Sequence, residues 1–177
     1  PDHYSATVMN YILGGGGFAS RLTQVLRVDK GYTYGIRSEF IGSEYKGPFR
    51  ISTSVQSKIT LEAALSIKSI VEDYGSTFTE DDLATTKGFL IKSNARHFES
   101  AYAKLSLLDK IGKYNWTPDF ISERETIVKN MTVKEIEVLA DEYLDLDQMI
   151  WLVVGDAKSQ MARMKELGVG EPVLVNK

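Results

Sequence analysis

Hydrophobic positions in the first third of the chain recur with the period of a helix and then switch to that of a strand. From Tyr4 to Leu13, Tyr4, Val8, Tyr11 and Ile12 fall on one stripe, and the pattern stops at the consecutive glycines Gly14 to Gly17. Phe18, Leu22, Val25 and Leu26 resume helical spacing to about Arg27, which predicts a second helix directly after a glycine loop. From Tyr32 to Ile41 the period becomes two, with Tyr34, Ile36 and Phe40 alternating against Arg37 and Glu39. Gly42 to Gly47 supplies a turn, and Phe49, Ile51, Thr53 and Val55 alternate again, so this stretch predicts a β-hairpin.

Most of the remainder has helical spacing. Ser57 or Thr60 caps a helix whose Ala63, Ile67, Ile70, Val71 and Tyr74 face inward until Gly75 ends it. Thr79, followed by Glu80, Asp81 and Asp82, sets a cap and carboxylates at a helix N-terminus, where they complement the dipole. Helical character then continues to about Tyr114, as one long kinked helix or two shorter ones. Pro118 opens a further helix through Val128, and Thr132-Val133-Lys134-Glu135 is a capping box that starts another to about Leu144. The continuous apolar run Met149 to Val154, bounded by Gly155-Asp156, predicts a fully buried strand. A short helix around Gln160 to Leu167 and an edge strand at Val173 to Val175 complete the pattern. With neither repeat nor linker, residues 1–177 are expected to form a single domain. The expected class is α+β, a layer sandwich whose mostly antiparallel sheet is covered by helices mainly on one face.

Composition narrows the functional classes. Apolar residues make up 43% and charged residues 25%, as in ordinary globular proteins. The 21 basic and 24 acidic residues are interspersed, so no basic face for nucleic acid is expected. The absence of cysteine removes disulfides, thiolate metal sites and a cysteine nucleophile, and leaves the compartment, cytoplasmic or periplasmic, open. No apolar run approaches the ~18 residues of a membrane-spanning helix. Pro1, with neither an initiator Met nor a signal-peptide pattern, gives the expectation of a piece of a longer chain.

Candidate chemistry is sparse. The only histidines are His3 and His97, and neither stands in H-E-x-x-H or H-x-x-E-H spacing, so no metal site is expected in this chain. His97, within helical sequence, reads as a surface or packing residue, and His3 as solvated. Gly14 to Gly17 with Ala19 nominally satisfy G-x-G-x-x-A, but a helix rather than a strand precedes them, which rejects a dinucleotide site. One or two glycines would end a helix; Gly14, Gly15, Gly16 and Gly17 together suggest a backbone that approaches another chain closely or moves, with a flexible surface turn as the alternative. Arg27 stands at a helix end and Tyr34 at the start of a strand, so both side chains can line one surface. A guanidinium fork can bind peptide carbonyls, and a phenol can donate to a developing oxyanion. Spacing alone favours an ordinary helix-end arginine and a half-buried strand tyrosine.

Asn10 to Leu22, read as N-Y-I-L-G-G-G-G-F-A-S-R-L, followed by Leu26-Arg27 and Gly31-Tyr32-Thr33-Tyr34-Gly35, resembles the carboxy-terminal domain of pitrilysin-family zinc metallopeptidases. Relatives in that family include insulin-degrading enzyme and mitochondrial processing peptidase. The distinctive match covers about the first quarter of the chain, and the hairpin, helices and Leu152-Val153-Val154-Gly155 strand end agree with the family layout. The resemblance implies a domain that faces a zinc-bearing half, fused or separate, across a substrate chamber, with the H-x-x-E-H motif and the zinc on that partner. It implies that Arg27 and Tyr34 bind substrate carbonyls and stabilise the transition state; Tyr32 is the nearest confusable residue. It further implies that Gly14, Gly15, Gly16 and Gly17 correspond, in shortened form, to a glycine-rich loop that handles peptide substrate. The alternative is a catalytically inactive structural or binding subunit of the same fold, against which the presence of both Arg27 and Tyr34 argues.

Overall fold

Helix α1 (His3–Asn10) is followed without a break by a π-helical turn (Tyr11–Gly15), and together they form the centre of the molecule. The computed structural model of the chain describes residues 3–42 and 47–175. The turn expected at Gly42 to Gly47 and the side chain of His97 lie outside what is described. Val8, Met9, Ile12 and Leu13 are all buried, as a helix apolar on most sides must be. Each such side chain withdrawn from water contributes roughly 1.5–3 kcal/mol. A 3-10 turn (Gly17–Ala19) leads to α2 (Arg21–Thr23), which widens into a second π turn (Gln24–Asp29). Leu22 and Leu26 complete the centre from that side. Phe18, expected on the inward stripe, stands outside it and is exposed, because the turn breaks the helical phase.

The hairpin forms as its alternation requires. Strand β1 (Thr33–Phe40) pairs antiparallel with β2 (Phe49–Val55), the only sheet among the described residues. Ile36 and Ser38 point into the core, and Arg37 faces out. On the inner side α1, α2 and their π turns lie against β1. The contact is polar as well as apolar: Asn10 Nδ2 donates to the Ser38 carbonyl at 2.8 Å, and the Ser38 hydroxyl donates to Asn10 Oδ1. Both side chains are buried, so this reciprocal pairing satisfies groups that would otherwise be costly to desolvate.

The later helices are α3 (Thr60–Glu72), α4 (Glu80–Ser93), α5 (Ala101–Tyr114), α6 (Phe120–Asn130), α7 (Val133–Tyr143) and α8 (Ala157–Met164). Of these α3, α4, α6 and α7 supply side chains to the centre, and α8 packs on α3 in a separate cluster of Leu61, Ala64, Met164 and Leu167. Capping boxes at Thr79 with Asp82 and at Thr132 with Glu135 start α4 and α7. Neither Ser57 nor Thr60 caps α3; a 3-10 turn (Ser57–Ile59) brings the chain into it instead. The long helical stretch divides into α4 and α5 around a 3-10 turn (Asn94–Phe98). Tyr74 is fully buried and its hydroxyl donates to the Met9 carbonyl at 2.6 Å, so the turn after α3 is fastened to the central helix. No helix among the described residues is long and apolar enough to cross a membrane.

The expected buried strand at Met149 to Val154 is a correction. The segment belongs to no sheet, and Ile150, Leu152 and Val154 are 94%, 78% and 91% exposed. Met149 and Trp151 pack on the core, so one face is covered as the apolar run demands and the other is bare. Val173 to Val175 likewise forms no strand among the described residues and is exposed. The class is α+β, as expected, and the antiparallel sheet has two strands among the described residues.

Candidate functional site

Three irregular elements meet beside the hairpin, and each owes its shape to identifiable residues. The first is the glycine run. A Cβ on Gly14 would lie 2.2 Å from Ser38 Oγ and 2.7 Å from the Ser38 nitrogen, so only glycine permits the π turn to press against β1. A Cβ on Gly16 would meet the Tyr11 carbonyl at 2.7 Å, while Gly17 has φ +58, which glycine adopts without the cost other residues meet there. All four glycines have a structural reason inside this chain: close approach for Gly14, Gly15 and Gly16, a Cβ on Gly15 falling 2.9 Å from Asn10 Nδ2, and handedness for Gly17. Gly14 is buried, whereas Gly15 and Gly17 reach the surface.

The loop presents Phe18 outward, 60% exposed, and Gln24 Nε2 donates to its carbonyl at 2.5 Å. The Ser20 hydroxyl donates to the Gly17 carbonyl at 2.7 Å, which ties the loop down from the other end.

The second element is the π turn Gln24–Asp29, closed by the Lys30 N–H donating to the Val25 carbonyl at 3.0 Å. Such turns insert a residue into the helical ladder and recur at functional sites. Arg27 lies within it, and Gly31, at φ +61, then turns the chain into β1.

The third element is a β-bulge. Thr33 pairs with Val55 and Ile36 with Thr53, so β1 carries one residue more than β2 across this interval. The bulge shifts the side-chain alternation at its extra residue and leaves Tyr34 90% exposed, in place of the half-buried position expected from the strand pattern. Two threonines hold it. The Thr33 hydroxyl is 2.8 Å from the Gly35 carbonyl and 2.8 Å from the Ser54 carbonyl, and it accepts from the Gly35 N–H at 3.1 Å. Thr53 Oγ1 lies 2.8 Å from Thr33 Oγ1 and 3.0 Å from the Gly35 carbonyl.

These elements converge on Arg27. Its guanidinium carbon lies 4.6 Å from the centre of the Phe18 ring and 5.0 Å from that of Tyr34. Both contacts are within cation–π range. No hydrogen bond or ion pair joins Arg27 to another described residue, so its N–H fork stays available. Arg21 is the contrast: its guanidinium donates to Asp82 Oδ2 at 2.7 Å and to the Thr77 carbonyl at 2.7 Å. Burial works against ionisation of Asp82, but hydrogen bonds from Arg21 and from Thr79 hold its carboxyl below its usual range. Along the hairpin runs a shallow groove of mixed character, lined by Tyr34 and Ile36 together with Thr33, Arg37, Ser52 and Ser54.

The sequence-predicted pair Arg27 and Tyr34 is thus brought together, and Phe18, which spacing assigned to the core, joins it. The available signal for Phe18 was an aromatic residue placed directly after a glycine run. Tyr32 shares a surface depression with Tyr34, but the cation over its ring is Lys30, whose Nζ lies 5.5 Å from the ring centre. Among the described residues no three His, Asp or Glu side chains come together as metal ligands, so the residues present do not fit a zinc site.

The family model described as "Peptidase M16 inactive domain" matches residues 1–90. A curated relative, a non-peptidase homolog named YmxG from Helicobacter pylori, is 26% identical over 161 residues, covering 89% of this chain and 36% of the relative. Among solved structures, a peptidase M16 inactive domain from Pseudomonas fluorescens superposes with a TM-score of 0.74 at 25% identity, covering 82% of this chain and 35% of that one. A structure described as a protease from Helicobacter pylori gives 0.73 at 18% identity, covering 81% and 35%, and shows the same fold. The chain spans about a third of the length of these relatives.

Proposed function

The chain belongs to the family of M16 peptidase inactive domains, the pitrilysin type, and on that premise we propose that it is a catalytically inactive domain that binds extended peptide through Arg27, Tyr34 and Phe18. The observation that carries this reading is the Arg27 guanidinium, gripped by two exposed rings and engaged by no acceptor among the described residues. The rings fix the plane of the fork before a ligand arrives, so less rotamer freedom is lost when it closes on a peptide carbonyl or carboxylate. Gly15 and Gly17, on the surface beside Phe18, let a peptide approach the loop backbone closely. The non-peptidase relative supports an inactive role.

A second reading is favoured by the exposure of the Tyr34 hydroxyl next to Arg27. In that reading the pair supports peptide hydrolysis within an assembly whose zinc is held by a separate domain or subunit. The two readings part on a simple comparison. Under the first reading an unstructured, fluorescently labelled peptide should bind the wild-type chain and stay intact, and Arg27→Ala should weaken binding by about tenfold or more, since a hydrogen bond to a charged group contributes ~1.5–3 kcal/mol. Under the second reading, Tyr34→Phe slows cleavage by the complete assembly by about a hundredfold, the loss of one oxyanion donor. Unchanged binding by Arg27→Ala refutes the first.

A further inference from the structure

Peptide carbonyls alone do not account for the charge along the hairpin. Two shallow depressions share Thr33, Tyr34 and Ser54 and run as one track, from Gly31 and Gln56 at the open end of the hairpin to Arg37 and Ser52. Among the described residues no Asp or Glu lines either depression, Asp29 and Glu39 included. Three cations border the track instead. Arg27 lies over the Tyr34 ring, Lys30 Nζ lies 5.5 Å from the centre of the Tyr32 ring, and Arg37 lines the far end directly. None of the three is neutralised at close range. Arg27 has no acceptor among the described residues, and Lys30 Nζ donates to the uncharged Ser66 hydroxyl at 2.7 Å. Arg37 stops 3.5 Å from Glu39 Oε2, while Arg50 holds Oε1 of the same carboxylate at 2.6 Å. One carboxylate between two guanidinium groups leaves a positive charge over. Arg21 and Arg163, by contrast, each hold a carboxylate of their own, Asp82 at 2.7 Å and Glu62 at 2.6 Å. Residues 27–56 hold five basic and three acidic side chains in a chain whose formal net charge is −3. A track bordered by cations and free of carboxylates attracts the opposite sign.

We propose that the hairpin track selects acidic peptide segments, with Arg37 and Lys30 receiving Asp or Glu side chains on either side of the Arg27–Tyr34 contact. The inference rests on the peptide-binding reading above and names the class of peptide. In an extended segment every second side chain faces the same way, so carboxylates at alternating positions meet both cations while a carbonyl between them meets Arg27. Charge on the peptide then sets which segment is held, and the Arg27 fork sets how its backbone lies.

The test is binding of three labelled peptides of one length, acetylated and amidated so that no terminal charge remains. One carries Glu at alternate positions, one Gln and one Lys. The Glu peptide is expected to bind the wild-type chain about tenfold more tightly than the Gln peptide, since each exposed ion pair contributes up to about fivefold. The Lys peptide should bind most weakly. The preference should shrink toward ~1 M salt, where the screening length falls to about 3 Å. Arg37→Glu should cut the Glu-to-Gln ratio to about twofold or less. Lys110→Glu, the same change of charge at an exposed position of α5, should leave the ratio intact. Arg27→Ala should weaken the Glu and Gln peptides alike. Equal affinity for those two peptides, or a preference that survives Arg37→Glu, overturns the proposal and leaves peptide binding standing. A single-stranded oligonucleotide that displaces the Glu peptide as readily as unlabelled Glu peptide does also overturns it. No binding of any of the three peptides overturns both readings.

Discussion

The guanidinium of Arg27 lies 5.0 Å from the centre of the Tyr34 ring. Neither residue belongs to a regular stretch of its element: Arg27 is carried by a π turn, and Tyr34 by the bulged end of β1. Regular α-helix and flat strand would aim both side chains elsewhere. The contact is therefore a product of two irregularities, and it is as strong as the bonds that hold them.

Those bonds are testable through Thr33 and Thr53. Replacing either with Val keeps the β-branched shape and removes a hydroxyl that fastens the Gly35 carbonyl. Each substitution should lower stability by about 1 kcal/mol, the net value of a hydrogen bond, as read from denaturant midpoints. The more telling readout is the Arg27 Nε–H resonance, which the neighbouring rings displace. Thr33→Val should move it toward the position of a free arginine, and Thr33→Ser should restore it. An unmoved resonance in both Val variants means that the bulge holds Tyr34 without them.

The glycines divide into two kinds, with different costs. Gly14→Ala pushes a methyl into Ser38 and should destabilise by ~1–3 kcal/mol or more, because the backbone of β1 cannot give way. Gly17→Ala meets no neighbouring atom and faces only the left-handed φ, about 1–2 kcal/mol. If thermal unfolding ranks Gly17→Ala as the more damaging, the packing account of the run is wrong.

The elements at the start of the chain were legible because local signals agreed. Helical spacing ended at glycine, and the period of two began after Gly31, and the structure follows both. The capping boxes of α4 and α7 were legible for the same reason: cap and partner sit three residues apart. The pairing of Arg27 with Tyr34 was legible only through family resemblance, since a bulge depends on the register of two strands and leaves no mark in the spacing of one. Phe18 was misplaced because helical phase was carried through a glycine run that resets it. Met149 to Val154 misled for a different reason. An apolar run reports how much covering a segment requires, and the chain itself covers only one side.

Asp82 makes stability depend on acid. It joins the α4 capping box to Arg21, and those bonds hold its folded carboxyl below the usual range against the opposing effect of burial. A carboxyl depressed on folding contributes stability that is fully present above its unfolded value, near ~3.9, and is lost as pH falls through the folded value. Unfolding free energy should therefore decline below about pH 4, and Asp82→Asn should flatten that part of the decline while lowering stability at neutral pH. An identical acid limb in Asp82→Asn would assign the loss to other carboxylates.

The central claim is that Arg27, braced by Phe18 and Tyr34, takes hold of peptide without cutting it. The most direct measurement follows the Arg27 Nε–H resonance while an unstructured peptide is titrated into the wild-type chain, with the peptide assayed for cleavage at the end. The account predicts a saturating shift whose midpoint matches the binding curve, a curve weakened in Phe18→Ala, and intact peptide. Binding that leaves the Arg27 resonance unmoved, or peptide cleaved by the chain alone, contradicts it.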